Sequence, residues 1–382
     1  MTEAPAAVPF LRPQLPPLTE VQRYFTLAEQ ARFYSNGGPC ERLLRERLSD
    51  YLDGVTCIPV NNATSGIIVA VLGATHHAGT RGRGLVITPA YTFVATAGSV
   101  EALGYRPLFV DVDPDSWQID PSALERALAE HGDDVAAVLA THTFGTPPPA
   151  GLQDRWAAAC AAAGVPLVVD TAAAFGAVDE GGARTGTGAH THVFSFHATK
   201  PFGVGEAGMV TTRDPELARL FDGIRQFGFA EGRVASLPGI NAKMDELHAA
   251  TALTVLDTYA DVLVSRRATA EYYRLHLEPA GFRFQTGAAG GTWQAGYLQA
   301  PDPATREALL VAGREAKVGI TAYYERPLHR HPAYAGALLE NDLPVSDALA
   351  AGALALPMAN DLTDAERSRV VDVVLETAKT RA

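Results

Sequence analysis

A lysine near the middle of the chain stands in surroundings that suit covalent chemistry with an aldehyde. Lys200 ends the string Phe194–Lys200, which begins in an apolar segment, and three glycines follow within eight residues. A lysine amine forms a Schiff base with an aldehyde once partial burial removes its proton. Ser195, five residues earlier, could hold a phosphate group of such an aldehyde. A solvated lysine in a surface loop would leave the same local pattern.

A carboxylate at the end of a second apolar segment offers a partner for such a cofactor. The segment Leu167–Asp170 is predicted to be a strand with Asp170 at its carboxyl end. An aspartate there can pair with the pyridine nitrogen of pyridoxal phosphate and keep it protonated, so that the ring accepts electrons. A helix cap or a turn is the alternative interpretation of an isolated aspartate. The two segments together favour pyridoxal phosphate chemistry.

Two further clusters follow other predicted strands. The segment Asn61–Gly66 opens an apolar helix, and its amides and hydroxyls could bind an anion without a basic residue. An ordinary helix cap accounts for one of these residues but not for the whole cluster. Phe93, which ends the segment Pro89–Phe93, offers a ring face for stacking, although an aromatic residue there is more often part of the core.

Alternating apolar and helical segments provide a scaffold for these groups. The predicted strands are Thr56–Val60, Leu85–Thr88, Pro107–Val112, Val135–Thr141, Pro166–Asp170, His192–Phe196 and Met209–Thr212. Helical stretches lie between them, such as Pro121–His131, which Asp120 can cap. This alternation predicts a mostly parallel sheet covered on both faces, with ligands at the carboxyl ends of its strands. A lysine, a carboxylate, a phosphate cradle and a ring after four different strands are what a pyridoxal phosphate enzyme of the aspartate aminotransferase fold requires.

Composition excludes several other classes of protein. The chain has 382 residues, a formal net charge of −12, 47% hydrophobic residues and three cysteines. Such an acidic chain is a poor binder of nucleic acid backbones. The cysteines are too far apart for a disulfide framework or a zinc knuckle, and no metal site is predicted. No apolar run is long enough to span a membrane and no signal peptide is visible, so we expect a cytoplasmic protein without membrane contact.

The chain is predicted to have three parts. Residues 1–30 form an N-terminal arm that runs into a short helix, residues 31–255 a large cofactor-binding domain, and residues 256–382 a small C-terminal domain. A nearly unbroken helical pattern from Lys243 to His276 leads from the large domain into the small one. The small domain is predicted to contain the strands Phe282–Gln285 and Thr292–Gln299 and the helices Pro303–Lys317 and Thr363–Lys379.

Several motifs match those of one enzyme family. They are Ser35–Pro39, Ala63-Thr64, Pro89–Thr96, Phe109–Pro114, Ser195–Lys200 and Gly239–Glu246. From about Ser35 to its end the chain resembles the DegT/StrS family of nucleotide-sugar aminotransferases. This resemblance implies an α/β protein with the fold type I of pyridoxal phosphate-dependent transferases. In that fold a mostly parallel seven-stranded sheet is sandwiched by helices and followed by a smaller C-terminal α+β domain.

The resemblance also implies which residues bind the cofactor, pyridoxal 5'-phosphate. Lys200 would form the Schiff base and act as general acid and base, and Asp170 would pair with the pyridine nitrogen. Phe93 would stack on the ring. The phosphate would be held by Ala63, Thr64 and Ser195, with Asn241 reaching in from a second subunit, so a homodimer with active sites at its interface is expected.

Substrate contacts are implied in the same way. His329 and Tyr324 match a C-terminal loop that lines the substrate site in such enzymes, although His329 could equally be a surface histidine. Arg225 would meet the carboxylate of the amino donor. The strings Ser-Phe-His-Ala-Thr-Lys and Asn-Ala-Lys-Met lean within the family toward members that aminate C4 of a 4-keto-6-deoxy sugar.

Two residues depart from the family pattern. Ala173 stands three residues after Asp170, where the family usually has Gln or His to donate a hydrogen bond to the 3-oxygen of the cofactor. Losing such a bond would cost about 1.5–3 kcal/mol unless Thr171 or water replaces it. Ala207 replaces a usual glycine. The essential lysine is unaffected.

The expected function is therefore transfer of an amino group from an amino acid to a keto-sugar nucleotide. Glutamate is the expected amino acid. The position expected on the sugar is C4 of a dTDP-4-keto-6-deoxy sugar. Two alternatives stay open at this point. One is amination of a keto-cyclitol or another polyol ketone in secondary metabolism, and the other is a non-catalytic paralogue that binds the cofactor, which only Ala173 and Ala207 support.

Overall fold

A computed structural model describes residues 6–230 and 234–380 of the chain. The helices are α1 (Leu18–Ala31), α2 (Pro39–Tyr51), α3 (Ala63–His77), α4 (Val94–Ala102), α5 (Pro121–His131), α6 (Leu152–Ala162), α7 (Pro215–Ile224), α8 (Glu246–Leu277), α9 (Pro303–Glu315), α10 (Pro344–Gly352) and α11 (Asp364–Lys379). The strands are β1 (Thr56–Val60), β2 (Leu85–Pro89), β3 (Arg106–Val110), β4 (Val135–Thr141), β5 (Leu167–Asp170), β6 (Thr191–Ser195), β7 (Gly208–Thr212), β8 (Gly296–Gln299), β9 (Leu338–Leu339) and β10 (Ala353–Leu356). None of the helices in the described ranges has the length and apolar character needed to cross a membrane.

The large sheet has the strand order β1-β7-β6-β5-β4-β2-β3-β9. Its central pairs are parallel, whereas β7 runs antiparallel to both β1 and β6. The seven predicted strands are confirmed with ends that differ by at most two residues. The sheet gains an eighth strand, β9, which the sequence does not reveal because two residues are too few to show an alternating pattern.

Both faces of this sheet are covered, as the continuous apolar strands predict. All seven residues of β4 are buried. On one face, Ile67 and Val71 of α3 belong to a buried cluster with strand residues such as Val193. On the other face, Leu124 of α5 and Trp156 of α6 pack with apolar residues of β2, β3 and β4. The sheet is therefore a rigid layer whose carboxyl ends can hold side chains in fixed positions.

The C-terminal part of the chain packs around a second sheet, in which β10 pairs antiparallel with β8. The predicted helices at Pro303–Lys317 and Thr363–Lys379 correspond to α9 and α11. The predicted strand Phe282–Gln285 is wrong, because only Arg283 forms an isolated bridge, to Gln299. Phe282 is buried in the core of this part, so its apolar character reflects packing rather than a strand.

The long predicted helix is confirmed as α8, a continuous helix of 32 residues. The division expected between residues 255 and 256 falls inside α8, so this helix belongs to both parts of the chain. Asp245 caps its first turn by accepting a hydrogen bond from the His248 backbone N–H, at 2.9 Å.

The N-terminal arm is more structured than predicted. Val8 pairs with Val318 and Leu11 with Met358 through isolated parallel bridges, so the extended segment lies along the C-terminal part. The helix that follows, α1, has 14 residues and packs against α8, where Arg23 forms an ion pair with Asp257. The arm is thus fixed at both of its ends among the described residues.

Candidate active site

A cavity of about 270 Å³ opens at the carboxyl ends of the strands of the large sheet. Seven of the ten residues that the sequence singled out line it: Ala63, Thr64, Phe93, Asp170, Ser195, Lys200 and Tyr324. Six of them lie at or just after the carboxyl ends of the strands β1, β2, β5 and β6. The seventh, Tyr324, comes from the C-terminal part of the chain. The sheet therefore gathers into one cavity side chains that are far apart in sequence.

The amine of Lys200 lies in this cavity, where its charged form is disfavoured. Lys200 Nζ donates a hydrogen bond to Gln294 Oε1 at 3.0 Å. Burial lowers the pKa of Lys200 to about 8, against the opposing attraction of Asp170. A substantial fraction of the amine is consequently neutral near physiological pH, which is the state that attacks an aldehyde.

Asp170 is a buried carboxylate that two donors hold in place. Its Oδ2 accepts a hydrogen bond from Thr96 Oγ1 at 2.9 Å, and its Oδ1 accepts one from the Ala172 backbone N–H at 3.1 Å. Burial raises the pKa of Asp170, while these hydrogen bonds and the charge of Lys200 lower it. The carboxylate is thus oriented and able to favour a proton on a ring nitrogen beside it.

The amino end of α3 points backbone N–H groups at the cavity. Asn62 caps this helix by accepting a hydrogen bond from the Ser65 N–H at 2.8 Å, which leaves the N–H groups of Ala63 and Thr64 without a helical partner. Among the residues described here that line the cavity, Lys200 is the only lysine or arginine. An anion in this corner would therefore be held by the helix end and by neighbouring hydroxyls.

A glycine on the neighbouring strand lets α3 begin so close to the sheet. A Cβ atom on Gly208 would lie 2.9 Å from the Ala63 nitrogen and 2.7 Å from the Phe194 carbonyl oxygen. Both contacts are with backbone, which cannot move away without shifting the start of α3 or the end of β6.

We expect Gly208→Ala to destabilise the fold by about 1–3 kcal/mol, the usual cost of overpacking. Urea unfolding measures this directly. The matched control is Gly132→Ala, because a Cβ there meets no atom within 4 Å and its φ of −53° suits any residue. Equal stabilities of the two variants would contradict the assigned contact.

Aromatic side chains form one wall of the cavity. Phe144 stacks on Tyr324 with ring centroids 4.8 Å apart and on Tyr297 with centroids 3.9 Å apart. Phe93 lies at the mouth, is 47% exposed, and has its ring centroid 6.3 Å from that of Tyr324. The ring expected to stack on a cofactor is therefore accessible from the cavity.

Arg225 does not line this cavity. Its guanidinium is almost fully buried and donates to Glu41 Oε1 at 2.8 Å, to Asp222 Oδ1 at 2.8 Å and to the Pro59 carbonyl oxygen at 2.9 Å. Such a set of partners is that of a structural ion-pair network. The arrangement does not support the expected contact between Arg225 and the carboxylate of an amino donor.

His329 and Asn241 also lie outside the cavity lining. The side chain of His329 is only 3% exposed, and its Nε2 is 3.2 Å from Asp347 Oδ1. Burial lowers the pKa of His329, against the opposing attraction of Asp347. Asn241 is on the surface, where Lys243 Nζ donates to its side-chain oxygen. Its expected contact with a second subunit stays a prediction.

The two departures from the family pattern have different surroundings. Ala173 lines the cavity, and its carbonyl oxygen accepts a hydrogen bond from Thr292 Oγ1. Thr171 does not replace the missing donor, because its buried hydroxyl donates to the Val193 carbonyl oxygen at 2.9 Å instead. Ala207 is fully buried in the core and does not line the cavity, although its neighbour Glu206 does.

Two residues that contact Asp170 and Lys200 are not predicted from the sequence. Thr96, which holds Asp170, lies on α4 three residues after Phe93, and this helical spacing could have revealed it. Gln294, which contacts Lys200, lies in an apolar segment beside Trp293. No local pattern distinguishes Gln294 from any other polar residue near a strand.

The residues of the cavity suit pyridoxal phosphate. The amine with a lowered pKa, the oriented buried carboxylate and the free N–H groups at the start of α3 correspond to an aldehyde, a pyridine nitrogen and a phosphate. The close approach of Gly208 to Ala63 fixes the start of α3 against the sheet.

The sequence is similar to known proteins over most of its length. Residues 19–375 match the model of the DegT/DnrJ/EryC1/StrS aminotransferase family. The chain is 33% identical over 372 residues to Protein Rv3402c of Mycobacterium tuberculosis, covering 97% of this chain and 90% of that protein. It is 32% identical over 272 residues to the dTDP-4-amino-4,6-dideoxy-D-glucose transaminase of Shigella dysenteriae, covering 70% and 69%. It is 30% identical over 323 residues to the UDP-2-acetamido-2-deoxy-3-oxo-D-glucuronate aminotransferase of Pseudomonas aeruginosa, covering 84% and 86%.

Solved structures share the fold. DesI, crystallised in the presence of its TDP-sugar product, superimposes with a TM-score of 0.85 at 29% identity, over 99% of this chain and 94% of DesI. A DegT DnrJ EryC1 StrS aminotransferase from Brucella abortus superimposes with a TM-score of 0.83 at 26% identity, over 94% of this chain and 95% of that one. The likeness therefore includes both the large sheet and the C-terminal part.

Proposed function

We propose that this chain, which belongs to the DegT/DnrJ/EryC1/StrS aminotransferase family, moves an amino group from glutamate to C4 of a dTDP-4-keto-6-deoxy sugar. Amino transfer with pyridoxal phosphate follows from the family. The observation that carries the proposal is the single cavity that holds Lys200, Asp170 and the start of α3. The sugar, its position and the donor are the proposed parts.

The cofactor would be held at three points by this chain. Lys200 would attach to its aldehyde carbon, Asp170 would pair with its pyridine nitrogen, and the N–H groups of Ala63 and Thr64, with the Ser195 hydroxyl, would bind its phosphate. When bound, pyridoxal phosphate accepts the electrons released when a bond to the α-carbon of an amino acid breaks.

The side chains of the cavity then handle protons and exclude water. As a free amine, Lys200 Nζ would accept the proton from the α-carbon of the amino donor and later return a proton to the product, for which a pKa of about 8 is suitable. Thr96 and the Ala172 N–H keep Asp170 in a fixed orientation throughout. The stacked rings of Phe144 and Tyr324 form an apolar wall that water cannot solvate well.

The proposed position on the sugar rests on relatives. The Shigella dysenteriae relative is named for a 4-amino-4,6-dideoxy sugar linked to dTDP, and DesI was crystallised with a TDP-sugar product. The Pseudomonas aeruginosa relative is named for a 3-oxo sugar, which makes amination at C3 the second candidate. A keto-cyclitol substrate is an alternative that no relative described above favours.

A homodimer is part of the proposal. Two aromatic side chains of one loop are exposed on this chain, Phe227 by 46% and Phe229 by 39%. Asn241 lies on the surface near this loop, because its backbone pairs with that of Gln226. Exposed aromatic rings beside polar groups are typical of subunit interfaces. Sedimentation analysis at micromolar concentration should give twice the chain mass of 40.4 kDa.

The pH dependence of cofactor capture tests the state of Lys200. Because only the neutral amine attacks, the rate at which the apoprotein captures pyridoxal phosphate should rise about tenfold from pH 7 to pH 9 and then level off. A lysine with the ordinary pKa of 10.5 would instead give a rise of about a hundredfold that continues above pH 9. Stopped-flow absorbance distinguishes the two profiles.

A panel of acceptors tests the function itself. The protein loaded with pyridoxal phosphate is incubated with glutamate and, separately, with 4-keto and 3-keto nucleotide sugars and a keto-cyclitol. Mass spectrometry should find an amino sugar only from the 4-keto nucleotide sugar. Product from the 3-keto sugar or the cyclitol alone would replace the proposed substrate, and a protein that takes up no cofactor would refute the mechanism.

A further inference from the structure

We propose that Gln294 is a positioning residue that sets the proton affinity of the Lys200 nitrogen, including when that nitrogen is bound to pyridoxal phosphate. The inference rests on the proposed function for its cofactor. Gln294 Oε1 accepts a hydrogen bond from Lys200 Nζ at 3.0 Å. Both residues line the cavity, and Gln294 is only 6% exposed.

This contact favours the protonated nitrogen. A carbonyl oxygen accepts a stronger hydrogen bond from a positively charged N–H group than from a neutral one, and the effect grows where water is excluded. Because the amide of Gln294 carries no net charge, it stabilises the proton less than a carboxylate would. The proton affinity of Lys200 next to Gln294 is therefore higher than it would be next to an apolar side chain and lower than it would be next to a carboxylate.

A buried arginine fixes the backbone that presents Gln294. Arg266 Nη1 donates to the carbonyl oxygens of Trp293 at 2.8 Å and of Gln294 at 3.2 Å, and Arg266 Nε donates to Asn360 Oδ1 at 2.7 Å. Trp293 has a φ of +58°, which a non-glycine residue adopts only where its surroundings enforce it. The segment is thus built to hold one conformation.

The other side of Gln294 is held as well. Its amide nitrogen is 3.3 Å from Thr199 Oγ1, which directs the oxygen toward Lys200. Two residues earlier, the Thr292 hydroxyl donates to the carbonyl oxygen of Ala173. The segment that presents Gln294 therefore contacts both Lys200 and Ala173. The methyl group of Ala173 cannot form a hydrogen bond. Gln294 supplies a side-chain amide at this corner.

Other titratable groups also face Lys200 and stay unchanged when Gln294 is replaced. Asp170 attracts the charged amine. The cavity is also lined by His142, His197, Glu206, Tyr323 and Tyr324, and Lys200 also lines a second, smaller cavity together with Arg12 and Arg266. A shift caused by replacing Gln294 alone can thus be assigned to its amide.

The test replaces Gln294 with Leu and with Glu in the full chain loaded with pyridoxal phosphate. The visible absorbance of the bound cofactor is followed as a function of pH. Gln294→Leu removes the acceptor, so the midpoint should fall by about one pH unit. Gln294→Glu adds a negative charge, so the midpoint should rise by about one unit or more.

Gln299→Leu is the matched control. Gln299 is 5% exposed on β8, and its side-chain amide donates to the Leu349 carbonyl oxygen at 2.8 Å, outside the cavity lining. This variant should lower the melting temperature but leave the midpoint unchanged. Unchanged midpoints in both Gln294 variants would reduce Gln294 to a structural residue and overturn the inference alone. Failure of the unchanged protein to capture pyridoxal phosphate would overturn the proposed function and this inference with it.

Discussion

Lys200→Ala should abolish amino transfer, lowering its rate by about 10⁴-fold or more, the upper range for a general acid and base. The substitution removes the amine that attaches the cofactor and the Nζ that carries the proton between donor and product. Alanine leaves the cavity intact, so pyridoxal phosphate should still bind, but dialysis should remove it. The unchanged protein should stay yellow after the same dialysis.

The control for this substitution is Lys379→Ala, which removes an exposed lysine in the last turn of α11. It should leave both colour and rate as in the unchanged protein. Activity of the Lys200→Ala variant within tenfold of the unchanged protein would mean that another group moves the proton. Loss of activity in both variants would point to the fold and not to the site.

Asp170→Asn should have the second largest effect, a loss of about 10²–10³-fold in the rate of the first half-reaction, which is typical of removing one preorganised electrostatic contact. Asparagine keeps the shape of the side chain, and its single oxygen can still accept one of the two hydrogen bonds that Asp170 accepts, but it carries no charge to keep a pyridine nitrogen protonated. Mixing the loaded variant with glutamate and following the absorbance in a stopped-flow instrument measures the loss.

Two further variants locate the cause of that loss. Thr96→Val removes one of the two hydrogen bonds that orient Asp170, together with the contact between the Thr96 and Thr92 hydroxyls, so it should slow the same step by about tenfold. Asp133→Asn changes an exposed carboxylate beyond the end of α5 and should change nothing. In all three variants the yellow colour should persist, because Lys200 is present. An Asp170→Asn variant as fast as Asp133→Asn would show that the charge of Asp170 is not used.

The large sheet and the residues at its carboxyl ends could be predicted because their signals are local. A short apolar run such as Val135–Thr141 reveals a strand by itself, and a polar residue directly after a strand must lie at the same edge as the others. Lys200, Asp170 and the start of α3 were found in this way. The strand β9 was missed because Leu338 and Leu339 show no pattern outside the sheet.

Other features of the site depend on partners that are distant in sequence. Arg225 and Glu41 are 184 residues apart, so the run around Arg225 contains no sign that a buried carboxylate already occupies its guanidinium. In the same way, Gln294 is 94 residues from Lys200, and only the folded chain brings them within 3.0 Å. Side-chain chemistry predicts what a group can do, whereas long-range packing decides what it contacts.

The number of residues in helix α8 cannot change freely, because contacts at its start and near its middle depend on it. Its first residue, Glu246, accepts hydrogen bonds from the N–H groups of Cys40 and Glu41, and Arg266, near its middle, holds the segment that presents Gln294. Each residue inserted into a helix turns everything beyond it by about 100° and advances it by about 1.5 Å. One insertion between Glu246 and Arg266 would therefore turn the guanidinium away from Trp293. Surface loops tolerate changes in length, but the stretch of α8 from Glu246 to Arg266 has to keep its number of residues.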